Sequence, residues 1–347
     1  MARPDLTIRG AGIFGLACAW EAARRGAKVR VIEAHQIGAG SSGGLVGALA
    51  PHVPENWNPK KQFQLESLLM AKGFWAEVQA ASGIDPGYAR LGRLQPLAAD
   101  ETAISRARAR AVEAETLWQG RAEWRVRPAT GAGWEPLTPS GLLIEDTLSA
   151  RLHPRHAAAA LVAAIRAKGG EVVIGDGPEE GPVLWATGYA GLQDLTATLG
   201  RKVGGGVKGQ ALLFDHDARD LPQLYADSLH IVPHGDGTTA VGSTSENQWD
   251  DPRATDHQCD ALRDAAVACF PVLAKARVID RWAGIRPRAK TRAPMLGPWP
   301  DRADHFVANG GFKIGFGMAP KVAQVMIDLI LNGQDAIPIG FRIEDNL

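Results

Sequence analysis

Leu6-Thr7-Ile8-Arg9-Gly10-Ala11-Gly12-Ile13-Phe14-Gly15 decides the fold: a short apolar run enters a G-x-G-x-x-G turn, and an alanine-rich helical stretch follows as far as Gly26. Strand, glycine turn and helix in that order open a dinucleotide-binding βαβ unit. Gly10 permits the tight turn, Gly12 lets backbone approach a pyrophosphate, and Gly15 lets the helix pack closely on the strand. Unpaired amides at the helix start then face the phosphates, and Ile13 and Phe14 are counted with the cofactor-binding residues. The second strand, Lys28-Val29-Arg30-Val31-Ile32, ends on Glu33 and Ala34. A carboxylate at that strand end can accept both ribose hydroxyls and would repel a 2′-phosphate, which disfavours NADP. The glycines alone do not separate FAD from NAD.

Small residues mark three further places outward from this unit. In residues 34–52, AHQIGAGSSGGLVGALAPH, the glycines suit backbone lying flat on a planar ligand. Ser41 and Ser42 offer hydroxyls to phosphate or sugar, and the segment around Gly47, Ala48 and Leu49 is expected against that planar ligand. Val183-Leu184-Trp185 ends a strand in the turn Ala186-Thr187-Gly188. Near the end of the chain, strand 305–308 passes through Gly310 and Gly311-Phe312-Lys313-Ile314-Gly315 into a closing helix read as opening at about Ala319-Pro320.

The remaining pattern predicts helices over 59–81, about 100–119, from Pro154 to Gly169 and over 256–269, with a strand within 90–97 and another over Glu171–Ile174. Between 206 and 250 the texture becomes short alternating strands with Gly/Asp turns, an antiparallel region. The resulting fold class is α/β: a discontinuous Rossmann-like cofactor domain (1–85, 141–203 and 283–347) with an inserted, mainly antiparallel substrate domain (86–140 and 204–282).

The 347 residues carry 38 Lys+Arg against 38 Asp+Glu, and this zero net charge argues against nucleic acid as a partner. Three scattered cysteines, Cys18, Cys259 and Cys269, exclude a disulfide framework and fit a reducing cytoplasm. No apolar run long enough for a transmembrane segment and no signal-peptide pattern is seen. His153 and His156 flank the start of the Pro154 helix without a nearby Cys or Glu, so they are read as a surface pair and no metal site is expected.

The ordered set GAGIFG, SSGGLVGALAP, LWATG, GQALLF, HIVPHGDGTTAVGST, GIRP and GGFKIGFGMAP resembles the amino-acid oxidase family of flavoproteins, especially glycine oxidase and its sarcosine-oxidase-like relatives. The resemblance spans nearly the whole chain. It implies FAD, a sheet-floored substrate cavity and oxidation of the C–N bond of an amine or amino acid, with hydride passing from the α-carbon to flavin N5. Oxygen or another acceptor would then take the electrons. The arginine of Gly-x-Arg-Pro, here Arg286, is implied as anchor of the substrate carboxylate, and its planar guanidinium suits that role. Lys313 stands where glycine oxidase has an arginine. Sarcosine-oxidase-like relatives tether flavin to a cysteine after the Arg-Pro motif, and none lies between Arg286 and Pro320, so FAD is expected to be non-covalent.

Against that pattern, His230 replaces a family tyrosine, His234 the arginine of the IVPR motif, and Thr291 an aspartate. His230 would make a substrate-facing group titratable near neutrality. His230 and His234, four apart on one strand, would share a face. Two competing readings are a dehydrogenase that uses a non-oxygen acceptor and an FAD-binding protein that has lost catalysis.

Overall fold

The computed structural model describes residues 3–347. Six strands form the first sheet: β1 (Leu6–Arg9), β2 (Val29–Glu33), β8 (Glu171–Ile174), β9 (Val183–Trp185), β15 (Met295–Pro298) and β16 (His305–Asn309). Their order is β15-β16-β9-β1-β2-β8, parallel throughout except for the edge strand β15. The α1 helix (Ile13–Arg24) is buried along nearly its whole length, because alanines at 17, 19, 22 and 23 let neighbours approach on several sides. Those neighbours are α4 (Pro154–Ala167) and α7 (Gly315–Asn332); α7 also packs on α2 (Pro59–Ser82). No helix among the described residues is long and apolar enough to cross a membrane.

The second sheet has eight strands in the order β14-β10-β13-β12-β11-β4-β6-β5. They are β4 (Arg93–Pro96), β5 (Trp124–Pro128), β6 (Leu142–Asp146), β10 (Gly204–Asp215), β11 (Gln223–Ala226), β12 (Leu229–Pro233), β13 (Thr239–Gly242) and β14 (Arg277–Ala289). All pairings are antiparallel except that of β4 with β11. Helices α3 (Glu101–Leu117) and α6 (His257–Cys269) belong to this part of the chain, α5 (Gly188–Leu199) follows β9, and β3 (Ala48–Leu49) pairs with β7 (Ala150–Arg151) in a small ribbon.

Two boundaries differ from the sequence reading. Residues 142–146, expected in the cofactor domain, pair as β6 with β4 and β5 in the second sheet. The expected division at 283 falls inside β14, which keeps its pairing with β10 from Arg277 to Ala289. Glycine and proline at 284 and 287 read as punctuation in sequence, yet Gly204, Gly205, Gly206 and Gly209 on the facing strand accommodate the ladder.

Candidate functional site

The first turn is built as its glycines require. Gly10 has φ +101°, and a Cβ there would stand 2.5 Å from the Ala186 carbonyl oxygen, so the ends of β1 and β9 can meet only over a glycine. A Cβ at Gly15 would overlap the Gly10 carbonyl, so Gly15 serves helix packing and does not line the cavity. Glu33 is buried; its Oε2 accepts from the Ala11 amide (2.8 Å) and its Oε1 from the His35 amide (3.0 Å). Each oxygen keeps a lone pair for a further donor. Ser42 Oγ accepts from the Ile13 amide at 2.9 Å, which draws residues 41–48 across the helix start.

A cavity of about 860 Å³ extends from this turn to the second sheet. Gly10, Gly12, Ile13, Phe14, Glu33, Ala34, Ser41, Ser42, Gly47, Ala48, Ala186, Thr187 and Gly188 all line it. So do Gly311, Phe312, Lys313, Ile314, Gly315, His230 and Arg286. Leu49, expected beside them, is instead fully buried in the core, because β3 alternates its side chains and sends only its neighbour Ala48 to the cavity.

The closing helix begins four residues earlier than the sequence reading placed it. It opens at Gly315, with Pro320 inside it, and Met318 is the amide that bonds back to Ile314. The preceding amides of Gly315, Phe316 and Gly317 have no intrahelical acceptor, and all three residues line the cavity. The positive end of the helix therefore meets the ligand space.

Arg286, on β14, is 7% exposed. Its Nη2 donates to Ser243 Oγ (2.6 Å) and its Nη1 to the Thr244 carbonyl (3.2 Å), and no carboxylate pairs with it among the described residues. Burial pushes its pKa down to about 10 against the pull of Glu246. Lys313 reaches the same cavity; burial first and Arg286 second lower its pKa.

His230, on β12, has a buried Nδ1 without a partner and a ring 4.7 Å from that of Tyr225, its register partner on β11. Burial, with Arg93 and Lys313 adding positive charge, holds its pKa down at about 3. It is neutral at physiological pH, contrary to the expected titration near neutrality. His234 does not share its face: β12 ends at Pro233, and His234 turns away to donate from Nε2 to the Leu45 carbonyl (2.8 Å). Thr291 lies in the turn after β14, where its amide donates to Asn346 Oδ1 (3.0 Å), so this departure leaves the cavity untouched. His153 is buried as the N-cap of α4 rather than lying on the surface, and Asp236 joins it and His156.

Sequence reasoning missed Tyr225, Ser243 and Trp282, which also line the cavity. Only strand register, opposite His230 for Tyr225 and across β10 from the Arg286 strand for Ser243, could have found the first two. The residues present fit FAD. Buried Glu33 faces the cavity, glycines at 10 and 12 leave room for backbone contact, and Thr187 Oγ1 is buried without a partner. Cys18, Cys259 and Cys269 do not line the cavity.

A Rossmann-type sheet whose first turn opens onto a cavity closed by an antiparallel sheet and two cations defines a dinucleotide-dependent oxidoreductase. The FAD dependent oxidoreductase family model (DAO) matches residues 5–329, and the chain belongs to that family. It is an FAD-dependent enzyme. The chain is 25% identical to the glycine oxidase of Pseudomonas putida over 99% of both chains. The glycine oxidase structure from Geobacillus kaustophilus superposes with TM-score 0.83 at 22% identity, over 99% of both chains. An iminodiacetate oxidase structure from a Chelativorans species gives TM-score 0.83 at 21% identity, over 96% of this chain and 97% of that one. At such identities the two structures speak for the fold.

Proposed function

We propose that this enzyme oxidises the C–N bond of a small amino acid or secondary amine that carries a carboxylate. The observation that carries this reading is Arg286: a nearly buried guanidinium on the cavity wall, held by Ser243 and the Thr244 carbonyl and lacking a carboxylate of its own. Such a group binds an incoming carboxylate with charge-assisted bonds worth about 1.5–3 kcal/mol each. Lys313 adds charge without fork geometry. His230 and Tyr225, further along the same sheet, line the cavity, and neutral His230 adds no charge there; the amine reacts as its neutral form, the form that can give up its α-hydrogen.

FAD, when bound, supplies the two-electron acceptor. The role of Glu33, Ser41 and Ser42 is to hold its ribose and phosphates, and that of the free amides at 315–317 is to favour negative charge on the ligand edge they face. No side-chain base is required, because the cavity provides position and electrostatics. Oxidised substrate leaves as an imine that water hydrolyses.

Anaerobic addition of glycine, sarcosine, iminodiacetate and other amino acids to the yellow holoprotein tests this. Bleaching by a carboxylated amine, and none by its decarboxylated counterpart, is expected. Bleaching by uncharged amines alone would overturn it. Admitting air to the bleached enzyme then distinguishes oxygen from another acceptor.

A further inference from the structure

Behind the cavity wall lies a histidine cluster that this reading does not use. His153 caps α4, His156 lies in its first turn, and His234 and Asp236 follow β12. One ligand atom each from His153, His156 and Asp236 lies within 4.8 Å of the others. The rings of His153 and His156 are 3.9 Å apart, and that of His234 is 4.7 Å from His153.

Hydrogen bonds set the proton positions. His234 Nε2 meets only a carbonyl, that of Leu45, so it must carry the proton, and Nδ1 is left as a lone pair. That Nδ1 has no partner although His234 is 0% exposed. An imidazole that donates to a carbonyl on one side and offers a lone pair on the other has the arrangement of a metal ligand with its outer support in place. Asp236 is set up similarly: Oδ1 accepts from the Thr238 amide (3.0 Å) and hydroxyl (2.7 Å), while Oδ2 stands 3.9 Å from His153 Nε2. Burial holds both His153 and His234 neutral, with pKa values of about 4. The neighbouring cation Arg151 is turned onto the Gly87 and Arg219 carbonyls.

We propose that His153, His156, His234 and Asp236 form a binding site for a borderline divalent transition metal, with Zn²⁺ the best match to three imidazoles and one carboxylate. Exposed His156 and Asp236 close on the ion by side-chain rotation to bond lengths of about 2.0–2.2 Å. His153 ligates through Nε2. Its proton moves to Nδ1, which gives up the long 3.4 Å capping bond from the His156 amide. The ion joins α4 to the β12–β13 turn and, through His234 and Leu45, to the 41–48 wall of the cavity.

Zinc titration of chelator-treated holoprotein, in competition with a chromophoric chelator, tests this. One equivalent is expected to bind with a rise in Tm, and Co²⁺ in its place should give the visible band of a four-coordinate ion. His156→Ala and Asp236→Asn, both at exposed positions, should each weaken binding at least about tenfold while leaving the flavin spectrum unchanged. Absence of stoichiometric binding, or equal binding by the parent and the double variant, would overturn the site.

Discussion

The Arg286 guanidinium lies over the bare backbone of Gly209, diagonally across the β10–β14 pair, and a Cβ at position 209 would overlap it. Glycine at 209 is therefore a condition for where the guanidinium sits. Gly209→Ala should leave the fold intact, because the atoms in its way are the movable end of a side chain, yet displace the carboxylate anchor. A rise of about tenfold or more in KM is expected, with little change in Tm.

Arg286→Ala should cost more, raising KM and slowing flavin reduction together, because grip and alignment are lost at once. Stopped-flow reduction at saturating and subsaturating substrate separates the two effects. An unchanged reduction rate would remove Arg286 from the site.

Lys313 loses its proton below the usual lysine range, since burial and Arg286 both lower its pKa. Affinity for a simple carboxylate lacking the amine should therefore weaken as pH rises toward that range. In Lys313→Met the affinity should be lower and this part of its alkaline decline absent. Spectral titration of the flavin with such a carboxylate reads both.

Glu33→Ala removes the acceptor for the Ala11 and His35 amides along with that proposed for the ribose. Each charge-assisted bond is worth about 1.5–3 kcal/mol, so FAD affinity should fall at least about tenfold. Fluorescence of released flavin on dilution measures it. In the parent, acid precipitation should release all the colour, because no cysteine lines the cavity.

Burial lowers the pKa of three histidines furthest: His230 to about 3, and His153 and His234 to about 4, against an ordinary 6.5. A depressed folded-state pKa means that the unfolded chain binds more protons, so the stability is complete above pH 6.5 and is lost as pH falls toward 4. Urea midpoints of chelator-treated protein should drop across that window. The drop should be smaller in His234→Gln.

The cofactor half was legible because its signals are local. Gly10, Gly12, Gly15 and Glu33 act within one βαβ unit, and their spacing carries the physics. The start of α7 was misplaced because Pro320 reads as a first-turn residue, whereas the turn is set by Gly311 and Ile314. The substrate half was less legible because its partners are distant. Tyr225 meets His230, and Ser243 meets Arg286, only through register, and His234 leaves their face because the strand stops at Pro233. Asp236 was overlooked beside His153 for the same reason.

The Pro287 carbonyl accepts the Phe312 amide at 3.0 Å, and Arg288 bridges to Gly311, so the strand that carries the anchor is tied to the turn that feeds the last helix. Exchange of substrate preference between related chains therefore has a natural unit. A graft ending at 283 would sever Arg286 from its own ladder. One that carries 277–289 together with 311–313 transplants the grip with its hinge, and recombination between homologues should keep those two segments from the same parent.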